Sequence, residues 1–381
     1  MGLRSSSVEG LVSDGVASGL FDGAFAGRRV FVTGHTGFKG SWLTRWLLDL
    51  GADVTGYSLE PPTEPSLFDE LRMAGDIAHV IADVRDLDHL RAEMNAARPE
   101  FVFHLAAQPL VRLSYDQPVK TYATNVMGTV NLLEAVRSIP SVGVVVNVTS
   151  DKCYENREMG QAYVEGDAMG GFDPYSSSKG CSELVTGAYR RSFFGEGSAV
   201  AVASARAGNV IGGGDWAADR IVPDCVRALV AGEPIVVRNP DAVRPWQHVL
   251  EPLSGYLWLA ARLRTGAHAL DGPWNFGPRP GDDWPVRSVV DALIDAWGDG
   301  SWTTPPSGGP QPHEAKLLNL DISKAGRELG WRPAYDVGHA IRATARWYGA
   351  RHEDASSVPA RTASDIAEYA ATARDAGAPW A

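Results

Sequence analysis

Val30-Phe31-Val32-Thr33-Gly34-His35-Thr36-Gly37-Phe38-Lys39-Gly40 leads from an apolar, β-branched run through three evenly spaced glycines into a helical pattern. A strand that turns on glycine and then opens a helix lets the backbone approach a pyrophosphate, which the helix N-terminus stabilises. Gly34, Thr36, Gly37, Phe38, Lys39 and Gly40 are the candidate contacts. The spacing is G-x-x-G-x-x-G, so the glycines taken alone equally describe a tight turn. The strand–turn–helix setting is what favours a dinucleotide site. The acidic residue expected about 20 positions further on is Glu60, although Ser58 lies nearer the end of the second strand. No Arg stands between Arg45 and Arg72 to meet a 2′-phosphate, so the expected cofactor is NAD rather than NADP. Asp83 and Val84 close a third strand where adenine would lie; the plainer alternative is a strand cap.

Outward from this loop, strand-like runs (30–34, 52–57, 79–84, 101–106, 142–150, 199–210) alternate with helical stretches (39–50, 86–97, 118–138, 175–194). Nearly continuous apolar strands separated by helices indicate a parallel sheet covered on both faces. The fold class is therefore α/β: a Rossmann-type doubly wound parallel sheet with a smaller, mostly C-terminal substrate-binding domain. We place a loose leader at 1–27 and the dinucleotide domain at 28–211. The substrate domain falls mainly within 212–350, with elements returning to the first core, and a C-terminal helix and frayed tail follow at 351–381. The 381 residues carry 35 Lys plus Arg against 46 Asp plus Glu, a formal net charge of −11. That balance argues against nucleic acid and against an anionic membrane surface as partners. Three Cys without C-x-x-C spacing exclude a disulfide framework or zinc ribbon. No signal-peptide pattern and no long apolar run occur, so a cytoplasmic setting is expected.

Tyr175-Ser176-Ser177-Ser178-Lys179 places a phenol and an ammonium one helical turn apart on the same face. A phenol of reference pKa ~10 becomes a usable base when a cation favours its phenolate. By itself the spacing is common on solvated helices, but here it follows a dinucleotide loop. Thr149-Ser150-Asp151-Lys152 ends the buried strand. A hydroxyl there can share a substrate oxygen with Tyr175. The adjacent acid and amine exceed the needs of simple hydride transfer and suit an added elimination step; the plainer alternative is a polar strand end facing solvent.

Together, TGxxGFxG, HLAAQ (104–108), Asn125 in TNVMGT, Ser150, Tyr175-x-x-x-Lys179 and RAGNVIGGGDW (206–216) resemble the extended short-chain dehydrogenase/reductase family of nucleotide-sugar enzymes. GHTGFKGSWL, TSDKCYENRE, DPYSSSKG and RPWQHVLEPL are similar to its 4,6-dehydratases, with CDP-glucose the favoured substrate. The resemblance covers about Arg28 to Tyr348. It implies a redox-neutral cycle on tightly bound NAD. Hydride leaves C4 of the glucosyl ring as Tyr175 takes the hydroxyl proton, water leaves across C5 and C6, and hydride returns to C6. Leu105, Ala106 and Ala107 would line the cofactor. Gln108, Arg112, Asn209, Arg220 and Arg244 would hold the sugar diphosphate, Arg forks suiting phosphate oxygens. For the arginines the plainer alternative is an ion pair.

By position Asp151 would protonate the departing C6 hydroxyl, and Lys152 would stand where sister dTDP-glucose enzymes carry a glutamate base. A lysine of reference pKa ~10.4 needs a depression of ~3 units, about 4 kcal/mol, to act as a base at neutral pH. Trp216 and Trp246 are stacking candidates for the base, with packing the simpler role. Cys153 reads as inert filling, His35 and His104 as turn and core residues, and no spacing suggests a metal. One departure is Val164, which stands where family members present an Arg; nucleobase or sugar preference would be affected if that Arg holds substrate. Rival readings are a dehydratase or 4-epimerase acting on UDP- or dTDP-sugars, or an inactive NAD-sensing protein. The resemblance further implies a homodimer or homotetramer paired through helices near 118–138 and 175–194.

Overall fold

Strand β1 (Arg29–Thr33) is buried at every position after Arg29, as a strand covered on both faces must be. The computed structural model describes residues 19–156, 160–305 and 318–381. Beside β1 lie β2 (Asp53–Ser58), β3 (Ala78–Ile81), β4 (Phe101–His104), β5 (Val144–Val148), β6 (Ala201–Ala207) and β7 (Gly272–Phe276). All seven are parallel in the order β7-β6-β5-β4-β1-β2-β3. The order reverses between β1 and β4, so the connections diverge there and open a crevice at the carboxyl ends.

Helix α1 (Phe38–Asp49) follows β1, and α2 (Leu87–Ala97) follows β3 with Asp86 as its N-cap. The helix expected over 118–138 is broken into three parts. A helical turn at Pro118–Tyr122 passes into a π-turn at Ala123–Met127 and then into α3 (Gly128–Val136). Such bulges tend to mark functional positions. This one seats Asn125, whose Oδ1 accepts from the Gln108 amide (2.8 Å) while its Nδ2 donates to Ser178 Oγ (2.8 Å). Helix α4 (Pro174–Phe193) carries the Tyr-x-x-x-Lys pair. Asp173 caps it through Ser176 N–H, and Pro174 sits in its first turn.

Beyond β6 the chain builds α5 (Ile221–Ala231) and short strand pairs, among them Val243–Pro245 against Asp283–Pro285. It returns to the main core through α6 (Leu250–Gly266), most of whose residues are buried. Then come β7, α7 (Val286–Trp297), α8 (Val337–Glu353) and α9 (Val358–Asp375).

Both chain ends differ from expectation. Of the leader expected at 1–27, residues 1–18 lie outside those described, but Leu20, Phe21 and Phe25 are core residues. Phe21 stacks on Trp380 (centroids 5.0 Å, 8° between planes), and its N–H donates to the Trp380 carbonyl at 2.7 Å. Trp380 also meets Trp46 and Tyr369, so the C-terminal tail is anchored rather than frayed. The burial of four large rings outweighs the polar, Gly-rich composition that suggested loose ends.

Candidate active site

The loop after β1 is built for close backbone approach. Gly34 adopts φ +75°, and a Cβ there would lie 2.7 Å from the Ala106 nitrogen in the loop after β4. A Cβ on Gly40 would strike the Gly34 carbonyl oxygen. Gly37 caps α1, whose first N–H groups face the crevice. Thr36 Oγ1 bonds Ser58 Oγ (2.8 Å) and donates to the Leu59 carbonyl (2.9 Å), pinning the loop to the end of β2. A cradle closed to side chains, opening on a helix N-terminus, fits the pyrophosphate of a dinucleotide. Asp83 at the end of β3 is held ionised by Arg85, and Val84 is buried beside it. Leu105, Ala106 and Ala107 continue from β4 past Gly34. His35 and His104 are turn and core residues: each bonds one neighbour at 2.7 Å (His79 Nδ1 and Thr33 Oγ1), and burial drives each down to about 3.

At the carboxyl end of β5, Ser150 caps a short turn over Asp151–Cys153, accepting from Lys152 N–H. Ser150 Oγ donates to Asp151 Oδ1 at 2.8 Å. Burial raises the Asp151 carboxyl above its ordinary value against the opposing pull of Lys152. Gly208 crowds it from β6; a Cβ there would lie 3.1 Å from Asp151 Oδ2.

Burial likewise pushes Tyr175 up to about 12, opposed by a hydrogen bond with Ser150 and the charge of Arg220. Lys179 was expected to be the cation that serves the phenol. Its Nζ donates to the Val148 carbonyl (3.4 Å), and burial lowers it to about 8 against the attraction of Glu183. Lys39 reaches the same crevice, lowered to about 8 by burial and by Arg220, with Asp151 and Lys179 also within electrostatic range.

The expected substrate residues separate. Arg220, paired with Asp215 at 2.8 Å, faces Tyr175. Arg112 reaches Asp219 (3.3 Å), beside Arg220 in the chain. Arg244 donates to the Val243 carbonyl and precedes Pro245, which packs at Gly208 next to Asp151. Asn209 follows Gly208, and its carbonyl accepts from Gln247 N–H. Gln108, expected at the substrate, braces its own loop. Its Nε2 donates to Leu110 O and Thr121 Oγ1, and its Oε1 accepts from Leu110 N–H, so the buried amide is spent internally. Trp246 donates to the Trp284 carbonyl in the core, and Trp216 packs against Tyr348 with Arg351 over its ring. Both act in packing. Val164 is exposed, its N–H donating to Asp167. Cys153 is buried with its thiol held neutral. Among the described residues no group of side chains suits a metal ion, and no helix is long and apolar enough to cross a membrane.

Sequence reading missed the buried ion pair Glu183–Arg206 (2.8 Å; side chains 5% and 3% exposed) behind this site. The signal was available: Glu183 continues the stripe of Tyr175 and Lys179 at four-residue steps.

A seven-stranded doubly wound sheet, a glycine cradle and a Ser–Tyr–Lys set at the crevice define a nucleotide-cofactor enzyme class. Residues 30–277 match the NAD dependent epimerase/dehydratase family, and the chain belongs to that family. It is 52% identical over 346 residues to the CDP-glucose 4,6-dehydratase of Salmonella typhimurium, spanning 89% of this chain and 96% of that protein. It is 30% identical to a dTDP-glucose 4,6-dehydratase of Streptomyces antibioticus, spanning 84% and 92%. Among solved structures, the dTDP-glucose 4,6-dehydratase of Streptomyces venezuelae with NAD bound superposes with a TM-score of 0.72 at 25% identity, covering 85% and 98%. The UDP-glucose 4-epimerase of Thermotoga maritima shares the fold (TM-score 0.72, 21% identity, 84% and 98% covered).

Proposed function

We propose that the protein is an NAD-dependent lyase converting CDP-glucose to CDP-4-keto-6-deoxyglucose and water. The observation that carries this reading is the turn Ser150-Asp151-Lys152. It sets a buried acid within electrostatic range of Tyr175 and an amine next to that acid, where an epimerase needs only the tyrosine. The 52% identity with the Salmonella dehydratase supports the choice of substrate.

The Gly34–Gly40 loop and the ends of β2 to β4 would hold NAD, which when bound would supply the hydride acceptor and donor for sugar C4 and C6. Tyr175 takes the C4 hydroxyl proton, and Ser150 holds that oxygen through its hydroxyl. The arrival of substrate displaces water, and Arg220 favours the phenolate. The 4-ketone acidifies C5, from which Lys152 takes the proton. Asp151, whose carboxyl burial raises above its ordinary value, donates the proton to the departing C6 hydroxyl. Arg112, Arg220 and Arg244 place positive charge against a diphosphate on a chain whose net charge is −11.

Incubation with CDP-, UDP- and dTDP-glucose and catalytic NAD tests the assignment. A 4-keto-6-deoxy product from CDP-glucose alone is expected; inversion at C4, or inertness, sinks it. The same reading includes a cytoplasmic homodimer or homotetramer, for which the apolar side chains left exposed along the 118–127 segment and α4 (Val119, 82%; Leu184, 62%) form the contact. Sedimentation at two or four times the monomer mass is expected, and a monomer at micromolar concentration would refute it.

A further inference from the structure

Glu183 lies one turn beyond Lys179 and two beyond Tyr175 on α4, so the three share a face. One carboxylate oxygen accepts from Thr149 Oγ1. The other accepts from Ser204 Oγ (2.7 Å) and Arg206 Nη2 (2.8 Å). Burial opposes its charge, yet these partners hold the carboxyl below its ordinary range. Arg206 Nη1 donates in turn to Tyr154 Oη (2.6 Å), and Tyr154 donates to Asn275 Oδ1 (2.7 Å). Thr149 and Tyr154 bracket the segment that bears Ser150, Asp151 and Lys152. A single buried carboxylate therefore ties down both ends of that segment.

We infer that Glu183 is a positioning residue for this site: its charge backs the Lys179 ammonium, and its hydrogen bonds clamp the Thr149–Tyr154 segment in register with Tyr175. The inference rests on the catalytic reading of Tyr175 and Lys179 given above. The groups in range of Lys179 are Glu183 on its own helix, His104 from β4, Cys153 from the turn, Lys39 from α1 and the Val148 carbonyl from β5, with Tyr175 one turn back on the same helical face. Burial keeps His104 and Cys153 neutral and Lys39 is a cation, so Glu183 supplies the negative charge. Without it, Lys179 loses its proton at lower pH and the phenolate loses a supporting cation.

The test is the pH profile of kcat on CDP-glucose for the NAD-loaded full chain. E183Q should move the alkaline limb down by about one pH unit and lower kcat roughly 10- to 100-fold with little change in KM. E183D keeps the charge and should keep the limb where it is, whatever its kcat. Because E183Q leaves Arg206 buried beside a neutral amide, E183Q/R206Q is measured alongside and should show the same downward movement. A wild-type limb in E183Q or in the double variant overturns the inference, as does a limb displaced equally in E183D. Failure of the unmutated protein to turn over any of the three sugar nucleotides would instead defeat the functional reading.

Discussion

On the proposed reaction, Tyr175, Asp151 and Lys152 would divide the proton traffic by environment. Tyr175 and Asp151 are both buried and both pushed toward their neutral forms. On the proposed reaction, that shift would favour an acid that donates to the leaving hydroxyl. It would work against a phenol that must accept a proton, and there the Ser150 hydrogen bond and Arg220 pull the other way. Lys152 stands apart from the Tyr175 pair, so removing it separates the half-reactions. Lys152→Ala should still pass hydride from C4, seen as nicotinamide reduction on adding CDP-glucose, while losing C5 proton exchange and water release by at least ~10²-fold. Exchange of the C5 proton at the unmutated rate would remove Lys152 as the base.

Helix α4 shows how much of the site depends on one element's start. Asp173 accepts from Ser176 N–H (2.9 Å) and Ser176 Oγ (2.6 Å), fixing the turn in which Tyr175 sits. Asp173→Ala should destabilise the protein by about 1 kcal/mol, read from the denaturant midpoint, while Asp173→Ser keeps most of that stability. The alternation of strands and helices, the glycine cradle and the Tyr-x-x-x-Lys stripe were legible in the chain because each is a local pattern with a period. The π-turn at Asn125 was not legible, since one extra residue in a helix leaves no periodic trace over so short a span. The internal bonding of Gln108 was hidden for a related reason. Its partners Leu110 and Thr121 are set by how a loop folds back, which the motif HLAAQ does not encode. Arg206 stood inside a quoted motif, but its pairing with Glu183 needs β6 beside α4.

The two ends of the chain and the second half of the fold meet around α6. Glu251 is buried there, accepting from Ala334 N–H, Tyr335 N–H and the Tyr369 hydroxyl, so one carboxylate joins α6, the segment before α8, and α9. Burial raises it from 4.5 to about 7, against those hydrogen bonds. The native state thus holds this proton more tightly than the unfolded chain does. Its contribution is most favourable below pH ~4.5 and declines as pH rises to about 7, by roughly 3 kcal/mol in all. Asp365 on α9, raised by burial to about 6, acts in the same direction over a narrower window. Glu251→Gln should flatten the dependence of thermal stability between pH 5 and 8, measured by calorimetry. An unchanged slope would assign that dependence elsewhere.

The stacking of Phe21 on Trp380 also has a consequence for synthesis. A ribosome releases the first of these rings almost the whole chain before the second. At about 5–20 residues per second the interval is on the order of tens of seconds. Through most of it, the faces of Phe21 and Trp46 that Trp380 will cover lack that partner. The nucleotide-binding half can form its sheet early, yet it carries a sticky seam until the last few residues emerge. A nascent chain of this design is a natural client for a holding chaperone, and one cut short before Trp380 would keep that seam open.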